Sequence, residues 1–292
     1  MNPENMVKRT GNAENAAKIR MIVCDMDGTL LDSERRISER TLDTILEARR
    51  KGVVTTICSG RIHPMLGVYV RRLALDIPFI AANGGVVFDP VRGEILHQET
   101  LPPEEARLLF DFCGRNGLDY CALGSEGGFF SPGGRCVRRF ELYNRVAEET
   151  GAETIPLQLF DAGHRNALRT PLHKSLIYRD DKRAEVLVEE FLKPREALEY
   201  IFSDAFVLDV TVAKVNKGCG VNQLARILGV EKEEICVFGD YYNDLPMFRE
   251  AGLAVAMGNA CAKVKESADI VTSANDDDGV AEAIERYILA YK

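Results

Sequence analysis

The sequence predicts an α/β fold in which a parallel-sheet core is interrupted by an inserted α+β domain. Short apolar runs typical of buried strands alternate with amphipathic helical patterns towards both ends of the 292-residue chain. Such alternation is typical of parallel βαβ units. The middle of the chain instead contains hairpin-like pieces and a Gly-rich loop at residues 124–134. Because domains commonly hold about 100–200 residues, the length also favours two domains.

The core elements are expected in the following order. A buried strand at residues 21–24 leads into an acidic turn, and a helix follows with Ser38 as its N-cap and Gly52 as its stop. Another amphipathic helix is expected around residues 221–228. The remaining core strands are expected at residues 53–58, 79–82, 235–238, 253–256 and 270–271.

The domain boundaries are expected where this alternation stops and resumes. Residues 21–85 and 204–292 form the predicted core, and residues 86–203 form the predicted inserted domain. Helices are expected in the insertion near residues 104–116, 138–150 and 182–192. Residues 1–20 are predicted to be a flexible leader.

Composition excludes several classes of partner. A formal charge of −8 disfavours nucleic acid and acidic lipid, and no apolar run reaches the roughly 20 residues of a membrane helix. The eight cysteines lack paired metal-ligand spacing, which favours reduced, buried thiols. The first twenty residues lack the apolar centre of a secretory signal, so a cytoplasmic location is expected.

The segment with the clearest chemical pattern is Asp25-Met26-Asp27-Gly28-Thr29, directly after the first strand. Ligands bind at strand ends in open α/β sheets. Two aspartates separated by one residue can serve as nucleophile and proton carrier in one pocket, and Gly28 permits the turn. The alternative for this segment alone is an Asp-rich surface turn.

The octapeptide DMDGTLLD at residues 25–32 resembles the first motif of the haloacid dehalogenase superfamily. The resemblance implies a Rossmann-like core in which Asp25 takes the phosphoryl group as an aspartyl-phosphate. It also implies that Asp27 protonates the leaving oxygen and later deprotonates water. Gly28 is expected to contact the phosphate.

Two further segments match the same superfamily. Ser59, in Ser59-Gly60-Arg61 after the second strand, would hydrogen-bond the transferring group, and Gly60 and Arg61 are candidate substrate contacts. For Arg61 a salt-bridged surface position is the alternative. Lys217 precedes an amphipathic helix, and the resemblance implies that it pairs with Asp25 and the phosphoryl oxygens.

The fourth match is the segment GDYYND at residues 239–244. The resemblance implies Mg²⁺ as cofactor, held by Asp25, the backbone carbonyl of Asp27, and Asp240, since hard cations favour oxygen ligands. Asp244 is a further candidate metal ligand or support. Asn243 would hold the waters, the phosphate or the lysine in position.

The position of the insertion, between the second and third motifs, resembles the Cof-type subgroup. The resemblance implies a phosphatase of small phosphorylated metabolites, with sugar phosphates as the subgroup's usual class. A phosphomutase and a non-catalytic sensor of phosphorylated metabolites are the alternatives. A monomer or small homo-oligomer is expected.

Overall fold

A computed structural model of the chain describes residues 18–179, 182–204 and 206–292, with backbone alone at residue 204. These residues divide into two compact units. The first unit contains residues 18–59, Leu75–Glu94 and Asn216–Lys292. The second contains Gly60–Ala74 and the described part of Ile95–Val215. Within the described ranges, no helix has the length and hydropathy to cross a membrane.

The strands and α-helices of the described residues alternate in the first unit and cluster in the second. The strands are β1 (Met21–Cys24), β2 (Val54–Ile57), β3 (Phe79–Ala81), β4 (Val86–Asp89), β5 (Glu94–Gln98), β6 (Tyr120–Gly124), β7 (Gly127–Phe130), β8 (Leu157–Leu159), β9 (Leu172–Tyr178), β10 (Leu198–Asp204), β11 (Val207–Val212), β12 (Ile235–Gly239), β13 (Leu253–Ala256) and β14 (Ile270–Val271). The helices are α1 (Glu39–Arg50), α2 (Gly67–Arg72), α3 (Pro103–Arg115), α4 (Cys136–Thr150), α5 (Arg165–Leu168), α6 (Lys182–Leu192), α7 (Lys217–Leu228), α8 (Leu245–Phe248), α9 (Ala262–Ser267) and α10 (Gly279–Tyr287).

The first unit is built on a five-stranded parallel sheet with the order β14-β13-β12-β1-β2. The two central strands, β1 and β12, are buried along their whole length, as expected for strands covered on both faces. Their carboxyl ends lead directly to Asp25 and Asp240. The fold therefore brings the first and fourth motifs to one edge of the sheet.

Side-chain caps define the starts of the two long helices of this unit, α1 and α7. Ser38 accepts a hydrogen bond from the backbone N–H of Thr41, as predicted for the start of α1. Asn216 accepts one from the backbone N–H of Cys219 at the start of α7. Such caps satisfy backbone donors that have no partner inside the helix. The cap at Asn216 makes Lys217 the first residue of α7.

Strand β3 differs from the prediction, which placed it among the parallel core strands. It pairs antiparallel with β4, and a single parallel bridge joins Ile80 to Cys58 beyond the end of β2. The cause is a tight reversal directly after β3, where Ala82 and Asn83 have φ values of 51° and 55°. The chain turns back on itself there and returns as β4.

The second unit contains a six-stranded mixed sheet with the order β10-β11-β9-β6-β7-β8. Neighbouring strands are antiparallel except β7 and β8. Successive residues of β6 enter two different hydrophobic clusters, with Ala122 in one and Cys121 in the other. Because side chains alternate across a strand, the sheet is covered by apolar residues on both faces.

The boundaries of the two units differ from the predicted domain limits. β4 belongs to the first unit, and β11 belongs to the second because it pairs with β9 and β10. Ile62 packs in a cluster of the second unit. At the amino terminus, residues 1–17 of the predicted leader lie outside the described residues. Ile19 is fully buried and the Arg20 N–H donates to Glu234, so those two residues are part of the first unit.

Candidate active site

The centre of the candidate site is a buried lysine between two carboxylates. Lys217 Nζ donates to Asp25 Oδ1 at 2.5 Å and to Asp244 Oδ1 at 2.6 Å. The side chains of Lys217 and Asp244 are fully buried, and that of Asp25 is 8% exposed. The backbone N–H of Asp25 also donates to the carbonyl of Phe238 at 3.0 Å, which fixes its position beside β12.

Asp244 connects this lysine to the loop after β12. Its Oδ2 accepts hydrogen bonds from the backbone N–H groups of Asp240 and Tyr241 at 2.8 and 2.9 Å. Both carboxylate oxygens of Asp244 therefore accept hydrogen bonds from the protein. Asp244 therefore fixes the position of the loop at residues 239–244 relative to Lys217.

Three carboxylates converge here. Asp25, Asp240 and Asp244 each offer an oxygen, and these atoms lie within 4.8 Å of one another. Burial raises the pKa of Asp25, and Asp244 and Asp240 raise it further, while Lys217 acts in the opposite direction. Burial and then Asp244 raise the pKa of Asp240 to about 7. Burial lowers the pKa of Lys217, but Asp244 and Asp25 outweigh it, so its net shift is upward.

This set of donors fits a hard divalent cation. One ammonium faces three carboxylates, so the cluster has an excess of negative charge when all of them are ionised. All three donors are carboxylate oxygens, the type that Mg²⁺ and Ca²⁺ prefer. A bound cation would favour the ionised forms of Asp25 and Asp240, whose pKa values burial raises.

Asp27 and Gly28 lie on the loop that follows Asp25. The Asp27 residue is exposed, and an isolated bridge pairs it with Leu31. Gly28 has a φ of 83°, and a Cβ there would lie 2.6 Å from Asp240 Oδ2. A side chain at this position would therefore be strained and would collide with a candidate metal ligand. The predicted role of Gly28 in the turn agrees with this geometry.

The structure places Ser59 in the first unit and the two residues after it in the second. Ser59 is buried, and its backbone N–H donates to Ile80 at 3.0 Å. The guanidinium of Arg61 lies 5.1 Å from the ring centroid of Tyr69, and its Nη1 donates to the Tyr69 hydroxyl at 3.3 Å. Contacts with phosphate at Gly60 and Arg61 stay predictions.

Asn243 is buried, and its Nδ2 donates to Asn83 Oδ1 at 3.2 Å. Asn83 is a residue to which the sequence assigned no role. Thr29 is another, since its hydroxyl donates to Asp240 Oδ1 at 2.8 Å. Asn259 is a third, because its Nδ2 donates to the carbonyl of Gly28 at 2.8 Å. Only Thr29 lies inside a recognised motif, and no local pattern signals the long-range partners of the other two.

A family model described as haloacid dehalogenase-like hydrolase matches residues 22–284, and the chain belongs to this family. A 5-amino-6-(5-phospho-D-ribitylamino)uracil phosphatase of Bacillus subtilis is 31% identical, with 93% of this chain and 96% of the relative covered. A phosphoglycolate phosphatase of Methanobrevibacter smithii is 29% identical, with 92% and 98% covered. The family, and a phosphatase activity within it, are thereby established.

A solved structure agrees with this assignment. A sugar phosphatase of haloacid dehalogenase subclass IIB superposes with a TM-score of 0.76 at 25% identity, covering 94% of this chain and 100% of that one. The predicted Cof-type resemblance is confirmed, as is the α/β fold with a parallel core sheet and an inserted cap of mixed sheet. The chain is a phosphoric monoester hydrolase of the haloacid dehalogenase type.

Proposed function

We propose that this phosphatase is Mg²⁺-dependent and hydrolyses phosphate monoesters of small metabolites through an aspartyl-phosphate on Asp25. The observation that carries the proposal is the contact of Lys217 Nζ with Asp25 Oδ1 inside a buried cluster of three carboxylates. A buried ammonium at this distance stabilises a carboxylate and also attracts the oxygens of an incoming phosphoryl group. A purely structural ion pair does not require two further carboxylates.

In the first step, a carboxylate oxygen of Asp25 forms a bond to phosphorus as the ester P–O bond breaks. Asp27 gives its proton to the departing alkoxide, so the alcohol leaves neutral. In the second step, Asp27 takes a proton from water as the water oxygen attacks phosphorus. Phosphate departs and the Asp25 carboxylate is restored. Asp27 is suited to this exchange because it lies exposed, two residues from the nucleophile.

The proposed ligands of Mg²⁺ are a carboxylate oxygen of Asp25, one of Asp240, and the backbone carbonyl of Asp27. When bound, the ion supplies positive charge that offsets the phosphoryl oxygens. Both oxygens of Asp244 already accept hydrogen bonds from the protein. We therefore assign Asp244 to positioning Lys217 and Asp240, which revises its expected role as a direct ligand.

Ser59 is proposed to donate its hydroxyl to the transferring phosphoryl group. Gly28 is proposed to shape the loop that follows Asp25. The second unit is proposed to act as the cap that selects the leaving group. The names of the relatives describe a ribitylaminouracil phosphate, phosphoglycolate and sugar phosphates as their substrates. These leaving groups differ while the phosphate ester is shared. We therefore propose sugar phosphates and related small phosphomonoesters as the substrate class.

A cytoplasmic location is proposed from the cysteines. All eight are free, and six of them are buried. Burial raises the pKa of thiols such as Cys24 and Cys113, which keeps them protonated and poorly reactive. Free buried thiols are typical of proteins that work in a reducing compartment.

The test is phosphate release from a panel that includes sugar phosphates, phosphoglycolate and 5-amino-6-(5-phospho-D-ribitylamino)uracil, with Mg²⁺ and with EDTA. Asp25→Asn should lower kcat by at least about 10³-fold, because the amide cannot replace the carboxylate nucleophile. Asp43→Asn, an exposed aspartate on α1, is the matched control and should retain full activity. Phosphate release that persists in EDTA would overturn the proposed Mg²⁺ dependence. Release that persists in Asp25→Asn would overturn the assignment of Asp25 as the nucleophile.

A further inference from the structure

The reversal after β3 has an unusual backbone. Ala82 and Asn83 have φ values of 51° and 55°, and Gly84 follows with a φ of 97°. Three consecutive residues therefore lie at positive φ, and two of them carry side chains. All three are buried, so solvent does not explain the conformation. Strain of this kind persists where the surrounding contacts impose it, and it concentrates at functional sites.

The contacts that impose it come from three loops of the candidate site. The backbone N–H of Asn83 donates to the carbonyl of Ser59 at 3.0 Å. The Asn83 side chain accepts a hydrogen bond from Asn243 Nδ2 at 3.2 Å. A Cβ on Gly84 would lie 2.0 Å from the carbonyl oxygen of Asn216, the cap residue directly before Lys217. One turn thus lies against the segments of Ser59, of Asn216 and Lys217, and of Asn243, which are the second, third and fourth motifs.

The bond to Asn243 has a consequence for its other amide atom. Because Nδ2 is directed to Asn83, the orientation of the Asn243 amide is fixed. Its Oδ1 is buried and accepts no hydrogen bond from the residues that the structure describes. Buried acceptors are normally satisfied, so this oxygen is suited to a donor that arrives with a ligand. Asn83 therefore decides which atom of Asn243 is offered to the site.

We propose that Asn83 is a positioning residue of the phosphatase, which orients the Asn243 amide and, through its backbone, holds the Ser59 loop. The proposal rests on the proposed function, since Ser59 is assigned there to the transferring phosphoryl group. The Asn243 Oδ1 atom is an acceptor, so its partner is a donor such as a water molecule or a substrate hydroxyl. Asn83 itself does not touch the reacting atoms. Its left-handed conformation is one that asparagine tolerates better than most residues, while its side chain supplies the acceptor.

The experiment is a double-mutant cycle with Asn83→Gly and Asn243→Ala. Glycine keeps the left-handed backbone, and with it the Ser59 contact, but removes the side-chain acceptor. Asn83→Gly should lower kcat by about 10-fold to 100-fold with little change in KM, as expected when a reacting group is misplaced. In the Asn243→Ala background, the same change should have less than about a twofold effect, since the hydrogen bond is already lost.

Arg35→Gly is the matched control, because Arg35 is an exposed residue of the first unit with a φ of 62°. It should keep the parental kcat and KM. The folded fraction of each variant is taken from its thermal melt, and kcat is expressed per folded molecule. A loss of stability alone then does not lower kcat. A parental kcat in Asn83→Gly, or an equal loss in both backgrounds, would overturn this inference and leave the proposed function standing. A parent protein that releases no phosphate would overturn both.

Discussion

Each unit contains a buried lysine paired with aspartate, and the two arrangements differ in their charge balance. In the second unit, Lys174 Nζ lies 2.8 Å from Asp209 Oδ2 on the neighbouring strand, with side chains 5% and 0% exposed. One ammonium there meets one carboxylate. In the first unit, Lys217 meets Asp25 and Asp244, and Asp240 lies in the same cluster.

The difference shows that burial of an ion pair is a weak sign of function by itself. In a balanced pair such as Lys174–Asp209, one positive charge offsets one negative charge. An excess of carboxylates costs free energy unless a cation or a proton joins it, as the raised pKa values of Asp25 and Asp240 indicate. The unbalanced cluster is therefore the one that is suited to bind ligands.

Of the two lysines, Lys217 is expected to show the larger effect when it is changed to Met. The change leaves three buried carboxylates without their ammonium, so kcat should fall by about 10²-fold to 10³-fold, as when an electrostatic stabiliser of the transition state is removed. The free energy of unfolding should fall as well, by about 3–5 kcal/mol in metal-free buffer. Phosphate release and urea denaturation measure the two effects. A kcat equal to that of the parent protein would show that Lys217 takes no part in the mechanism.

An effect on stability alone is expected for Lys174→Met. The change leaves Asp209 buried beside an apolar side chain, and the free energy of unfolding should fall by about 3–5 kcal/mol. The double variant Lys174→Met, Asp209→Leu should recover most of this loss, because no charge then remains to be buried. Urea denaturation of the parent, both single variants and the double variant gives the coupling energy. If the double variant lost as much free energy of unfolding as the two single variants together, the pairing of Lys174 with Asp209 alone would be contradicted.

The smallest effect is the pH dependence of the metal-free first unit. The pKa of Asp240 is about 7 in the folded chain against 3.8 as its ordinary value, so the folded state binds more protons between these values. Its contribution to stability is then present at low pH and is lost as pH rises from about 4 to about 7. Asp25, whose pKa is also raised, contributes with the same sign.

In EDTA the melting temperature of the parent should therefore decline relative to that of Asp240→Asn across this range. The lowered pKa values of His63, His164 and His173 act in the opposite direction, but they act on both proteins alike. Saturating Mg²⁺ should oppose the decline, because the ion binds the ionised carboxylates and stabilises the folded state. An unchanged slope in Asp240→Asn would assign the effect to other groups.

Much of the first unit could be predicted, because its signals are local in sequence. The apolar run before Asp25 predicts β1, and Ser38 is the N-cap of α1 as expected. The four motifs follow strand ends or begin a helix, so a parallel sheet brings their side chains to one edge. Asp25, Lys217, Asp240 and Asp244 do come together in the structure.

What could not be predicted depends on partners that lie far apart in sequence. The predicted domain limits place residues 207–212 in the core, yet these residues form β11, whose backbone pairs with β9 and β10. The antiparallel pairing of β3 follows from two residues at positive φ, and alanine at position 82 gives no sign of that conformation. Asn83 and Asn243 are 160 positions apart. Propensity and periodicity report on neighbours in the chain, and so they miss contacts of this kind.

The carboxylate of Asp244 also constrains how this protein can evolve. It serves Lys217 with one oxygen and two backbone N–H groups with the other. A Cβ at Gly239 would lie 2.5 Å from the Asp244 Cβ, so even alanine has no room there. Positions 239, 244 and 217 therefore depend on one another, and substitution of one of them at a time is expected to lead through inactive intermediates.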